Sequence, residues 1–521
     1  MSSVAPASGR MMPIAAILFC AAIGGGCGRP PEPTAAEPPA VEPLPADIEQ
    51  QVHAFCGACH AYPPADSFPR QHWRVEVERG FRFFDQAGLA LAPPKLSHVV
   101  RYYEERAPID FPPATIVPAT HELPVRFETV SYPPPGTEQP VISNVNPVKL
   151  YPPGAKPEAR AREPITLLAC DMAGGSILAL RPADPSPQWR ELGKATHPAR
   201  ADVVDLNGDG ILDILVADLG SFAPTDRRCG SVVWLRGKPD GTFQTITLLK
   251  DVGRVSDVRA ADFRGAGKLD LIVGSFGLHA VGEILFLENR TTEWDKPEFA
   301  PSVIDDRHGA IHVPVADLNG DGRPDFVALI AQEFEEVVAF LSDGGGKFAK
   351  KTLYRAPHPA WGSSGIQLVD MNGDGRLDLL YTNGDILDEP YLWKPYHGLQ
   401  WLENKGDLKF ESHRIANMYG IHNAVAAPIC GGKLPDILAV SFLPADKFPD
   451  RAAKKADAVV IFEQVAPGRF ERHVLATGSC DAVVCAAADL YGTGRFDLAI
   501  GNFGAKANNH PVAIWKNRGK R

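Results

Sequence analysis

The chain has 521 residues, too many for one ordinary core, so two or more folded units are expected. A hydrophobic content of 45% excludes wholesale disorder, and 48 Gly with 48 Pro favour many short strands joined by turns. A net charge of −10 argues against nucleic acid as a partner and is compatible with bound cations.

At the N-terminus, Arg10 precedes an apolar run over residues 11–23 and then Gly24-Gly25-Gly26-Cys27. The run is too short for a permanent membrane span but suits a signal-peptide core. Small residues ending in Cys27 resemble a bacterial lipobox, although Gly24 stands where Leu is preferred. Residues 1–27 are therefore read as a signal, with Cys27 lipidated. The expected location is the periplasm or cell surface of a bacterium, with the lipid anchor as the only membrane attachment. Plain secretion is the alternative. Residues 28–46 are rich in Pro, Glu and Ala and form no core; extended, they reach ~60 Å at ~3.1 Å per residue.

Residues 47–112 contain Cys56-Gly57-Ala58-Cys59-His60, the C-x-x-C-H spacing of covalent haem attachment. Two thiols add to the haem vinyl groups, and the following imidazole becomes the proximal iron ligand. A disulfide or half a zinc site are the competing readings, but no second C-x-x-C completes a zinc site. Helices are predicted over 47–55, 66–85 and 96–106. This segment resembles a compact small cytochrome c. It lacks that family's distal Met, because no Met lies between His60 and Met172. His72 and His98 are the candidates for the sixth position, each with the alternative of a plain helix histidine.

From residue 120 the sequence repeats. DLNGDGILD begins at 205, DFRGAGKLD at 262, DLNGDGRPD at 317, DMNGDGRLD at 370, PICGGKLPD at 428 and DLYGTGRFD at 489, each spacing suiting one four-stranded propeller blade. Each copy is followed by two further strand signals around a Gly-rich turn. An earlier blade without a metal loop makes seven. The last copy stops before its fourth strand, and residues 124–131 supply the missing pattern, so ring closure is expected between the two ends of the propeller. The repeats resemble the VCBS/FG-GAP family, whose members include integrin-type calcium-loop propellers. The resemblance spans residues 120–521 and implies an all-β seven-bladed propeller after a small all-α domain.

Three copies carry Asp-x-Asn-x-Asp-Gly-x-x-Asp. Asp205, Asn207, Asp209 and Asp213, then Asp317, Asn319, Asp321 and Asp325, then Asp370, Asn372, Asp374 and Asp378 place hard oxygen donors at alternating positions suited to Ca²⁺. About three ions are expected. An EF-hand is excluded by Val216, Ala328 and Tyr381 at the position that needs Glu. Plain Asx turns are the alternative, and the surviving last Asp of the degenerate copies (Asp270, Asp436, Asp497) is expected to bond the turn backbone with or without metal.

Histidines cluster in one set of loops. His197, His308, His312, His358 and His422 fall in or beside loops joining successive blades, and His279, His397 and His510 in loops joining the second and third strands. Both loop sets open on one propeller face, opposite the calcium loops. With Arg200, Trp361 and neighbouring aromatics, this face reads as a binding surface whose imidazoles would titrate between about pH 5 and 8; loops that simply collect polar residues are the alternative. No catalytic triad or carboxylate pair is assignable. The favoured function is electron transfer with a partner protein or small ligand held by the propeller. The alternatives are recognition of a carbohydrate or protein with an accessory haem, and, more weakly, an oxidoreductase at the His-rich face.

Overall fold

The structure, a computed structural model, describes residues 42–132, 140–152, 154–387, 389–504 and 511–521. Cys27, the apolar run before it, most of the linker and His510 lie outside the described residues. No helix among the described residues is long and apolar enough to cross a membrane.

Three helices come first: α1 (Ile48–Cys56), α2 (Trp73–Ala87) and α3 (Leu96–Arg106). Ile48, Val52 and Phe55 recur on one face of α1 and are buried there. The second helix starts later than the sequence pattern predicts. Pro64 and Pro69 are extended, so residues 65–72 form two separate 3₁₀ turns before α2 begins. Trp73 stacks flat on Tyr103, 3.8 Å between ring centroids, and ties α2 to α3.

Beyond residue 120 the chain forms seven antiparallel sheets, the blades of a propeller, here numbered one to seven with strands A to D running outward. Blade one starts at Ile142–Val148, blade two at Pro198–Val204, blade three at Val255–Ala261 and blade four at Ala310–His312. Blade five starts at Ser363–Val369, blade six at Ile421–Ala427 and blade seven at Ala482–Ala488. The A strands touch one another in succession, and blade seven touches blade one, so the ring is closed. The D strand of blade seven is Val125–Ser131, paired antiparallel with Val512–Lys520.

Strand B is buried end to end in blades one to six, because it packs between neighbouring blades on both faces. From blade two onward it begins with the last Asp of the loop motif. Both oxygens of that carboxylate accept backbone N–H groups. Asp213 bonds Leu206 and Gly237, Asp378 bonds Met371 and Asn404, and Asp497 bonds Leu490 and Asn517. This explains why the residue is retained where the rest of the loop has degenerated.

Every A–B pairing carries a bulge near the same end. The bulged residue reaches sideways to the next blade. Ser143 Oγ donates to Pro198 O (2.7 Å), Ser256 Oγ to Ala310 O (2.6 Å), Ser364 Oγ to Ile421 O (3.0 Å) and His422 Nδ1 to Val483 O (2.8 Å). These bonds stitch the inner wall around the ring.

Candidate functional site

The C-x-x-C-H segment leaves the end of α1. Gly57 caps the helix by donating to His53 O, and a Cβ there would lie 2.7 Å from that oxygen, so only glycine lets the chain turn so tightly. Cys56 is half-buried beside Tyr103, and Cys59 is exposed; both are free thiols. Burial, opposed by the Tyr103 hydrogen bond, raises the Cys56 thiol above its ordinary value. His60 Nδ1 lies 2.8 Å from Ala61 O. A proton donated there leaves Nε2 bare, the tautomer a proximal iron ligand requires. These residues fit a covalently held haem. His98 is buried on α3, whereas His72 lines a cleft of about 470 Å³ with Glu76, Arg79, Glu389, Tyr391 and Lys447.

The helices rest on the His-rich propeller face. Arg79 Nη1 donates to Glu389 O (3.0 Å), Tyr396 Oη to Ser67 O (3.3 Å), and Ala114 N to Tyr419 Oη (2.7 Å). Phe83 of α2 meets His279 at 5.2 Å. His308 Nε2 lies 2.9 Å from Glu333 Oε1, and the pair sits within the electrostatic field of His60. Burial works to raise the Glu333 carboxyl, but the hydrogen bond and charge of His308, with a further contribution from His60, hold it below its ordinary value. The face that the sequence presents as an open binding surface is thus largely the seat of the chain's own helical segment. Glu333 carries no motif; the signal available was an acidic run, Glu333 to Glu336, in a B–C loop of an otherwise histidine-bearing face.

The other face residues divide into structural groups. His312 lies 4.0 Å from Asp257, which also takes Arg259 (3.0 Å) and Arg200 (3.8 Å) in a buried ionic network of the inner strands. His358 packs edge-on to Trp361 and Tyr396. His397 is fully buried, His422 staples blades six and seven, and His197 Nδ1 bonds Met172 O (2.9 Å). Burial pulls His312 and His358 down to about 3 and His397 well below its ordinary value. These imidazoles stay neutral between pH 5 and 8, contrary to the titration expected from sequence, because the loops enclose them.

On the opposite face the three intact loops wrap as the motif implies. Their glycines adopt left-handed φ, 70° and 81° at Gly208 and Gly210, which carries the chain round the loop centre. Asp205 Oδ2 accepts Gly210 N (2.9 Å), while its Oδ1 is buried without a hydrogen-bond partner. An orphaned carboxylate oxygen in a loop that also carries Asn207 and Asp209 fits a hard cation. In the degenerate copy of blade three the Arg264 guanidinium binds Asp270 (2.9 Å) and Glu288 (2.9 Å), placing a fixed positive charge in the loop. The loops at 317 and 370 fit less freely, because Arg323 and Arg376 already ion-pair with Asp321 and Asp374.

A family model described as an FG-GAP-like repeat matches residues 205–273 and 317–381. Each match runs from the first aspartate of an intact loop through strand B of the following blade. No curated protein matches the chain significantly. The chain is a seven-bladed β-propeller carrying FG-GAP-like repeats, an architecture that fits a binding or adhesion role.

Proposed function

We propose that this is an exported, lipid-anchored c-type cytochrome. One haem c is held by Cys56, Cys59 and His60, and the calcium-stiffened propeller is the platform for the helical segment and for a redox partner or small ligand. The observation that supports it is the C-x-x-C-H segment at a helix end, with His60 Nδ1 on a backbone carbonyl. When bound, the haem supplies one-electron transfer. The chain's own residues position it: α1 and Gly57 fix the thiols, Ala61 O fixes the His60 tautomer, and Tyr396, Arg79 and Tyr419 fix the helices on the blades. His72 and His98 remain the candidates for the sixth position. About three Ca²⁺ ions belong to the loops at 205, 317 and 370, and their role is to stiffen the loops. Nucleic acid is not a proposed partner.

A second reading is a recognition or adhesion propeller for a carbohydrate or protein, with the haem accessory; the FG-GAP-like repeats favour it. One experiment tests the haem on which the cytochrome reading stands. Full-length protein made with c-type maturation machinery should carry haem that survives denaturation and titrates reversibly with potential, and Cys59→Ala should leave at most one thioether. A colourless product from a competent host would sink the cytochrome reading and leave the adhesion reading standing.

A further inference from the structure

Blades five and six carry the same C–D hairpin at matching positions. Glu403 faces Glu411 and precedes His413 in blade five; Glu463 faces Glu471 and precedes His473 in blade six. In blade five a fixed cation satisfies the acids: Lys405 Nζ lies 2.6 Å from Glu403 and 3.5 Å from Glu411. Blade six has Val465 at the equivalent position, so that ammonium is missing.

A second imidazole takes its place. His121, from the segment entering the closure strand, brings Nε2 to 2.8 Å from Glu463 Oε2, and His473 Nε2 lies 3.1 Å from the same oxygen. The three ligand atoms lie within 4.8 Å of one another. A tetrahedral zinc with nitrogen ligands at 2.0–2.1 Å separates its ligands by about 3.4 Å, so each imidazole–carboxylate contact need open by only a few tenths of an ångström. Glu471 anchors the residue before His121 to the same hairpin, accepting hydrogen bonds from Thr120 N (2.8 Å) and Thr120 Oγ1 (3.0 Å). Two imidazoles and a carboxylate suit a borderline cation, unlike the all-oxygen loops on the calcium face.

We propose that His121, Glu463 and His473 bind one zinc-class divalent cation, which ties the chain entering the closure strand to blade six. The site is independent of the haem motif and of the calcium loops. Residues 120–124 lead directly into the strand that completes blade seven, so the ion fastens the propeller where its two ends meet.

The test is calorimetric titration of the full-length protein with zinc chloride in millimolar calcium, which fills the oxygen loops. Wild type should take up an equivalent of zinc that His121→Ala and His473→Ala each weaken by about 100-fold or more, no less than the loss of an outer partner costs. His413→Ala should retain it. His121 is exposed, so its variant should fold even if His473→Ala does not. Zinc should also raise the melting temperature of wild type but not of His121→Ala. Equal zinc affinity in wild type and His121→Ala would reduce the cluster to a hydrogen-bonded triad and overturn the proposal, as would an equal loss in His413→Ala.

Discussion

Glu335 lies in a B–C loop of blade four with a left-handed φ of 49°, and its carboxyl is buried against the next blade, bonded to Gly362 N (3.0 Å), Ser363 N (2.8 Å) and Ser363 Oγ. Burial pushes it up to about 8 despite those bonds, from an ordinary value of 4.5. Between those values the folded state keeps a proton that the unfolded chain has released. Its stabilising contribution is therefore full below about pH 4.5, declines as pH rises, and is gone above 8. The decline is at most about 1.4 kcal/mol per pH unit. Glu335→Gln cannot titrate, so its urea midpoint should lose this slope and exceed that of wild type near pH 8. Parallel midpoints for the two proteins across pH 5 to 8 would show that the carboxyl is ionised throughout. The buried histidines act in the opposite sense: His312 and His358 are pulled from 6.5 down to about 3, so they weaken the fold as pH falls below about 6.5, and they do so equally in wild type and Glu335→Gln.

At the scale of loops and strands, the aspartate-rich loop motifs were legible because each is a contiguous run whose carboxylates all come from one turn. The role of the last aspartate was legible too, through its survival in degenerate copies. What sequence could not show was which side chains enclose one another. His422 reads as a face ligand, yet its bond to Val483 O joins strands of different blades. Arg323 and Arg376 stand at positions the motif leaves unspecified, yet each guanidinium returns to the fifth-position carboxylate. That return predicts a ranking among the loops. The loop at 205 has Ile211 in place of the arginine and an unpartnered Asp205 oxygen, so it should bind calcium most tightly. Arg323→Ala should raise affinity at its own loop by a fewfold at most, because a half-exposed ion pair is worth ~0–1 kcal/mol. Asp209→Ala, Asp321→Ala and Asp374→Ala should each remove one ion from the bound stoichiometry, while Thr493→Ala should change nothing. Weaker calcium binding in Arg323→Ala would mean that the guanidinium organises the loop instead of competing within it.

For the whole molecule, the repeat spacing made the seven blades legible, whereas the seating of the helices on them was not. Arg79 and Glu389, or Ala114 and Tyr419, share no motif and meet only once both units are folded. The propeller itself depends on a strand from the far end of its sequence. Leu123 and Val125 are buried in the core between blades six and seven, and Phe127 packs against it. Trp189 of blade one donates to Tyr132 O at 2.7 Å, and Glu122 and Glu128 ion-pair with Arg521 and Arg518. Burying the two aliphatic side chains alone contributes about 3–6 kcal/mol, a large share of a net stability of about 5–15 kcal/mol. Deleting residues 122–133 removes this strand and exposes the edge of Val512–Lys520. A chain lacking residues 1–112 keeps all seven four-stranded blades and loses only its cover of helices. The internal deletion should therefore melt at lower temperature and aggregate faster than the truncation, in thermal scans followed by light scattering. Equal melting temperatures would mean that the outer strand of blade seven is dispensable to the ring.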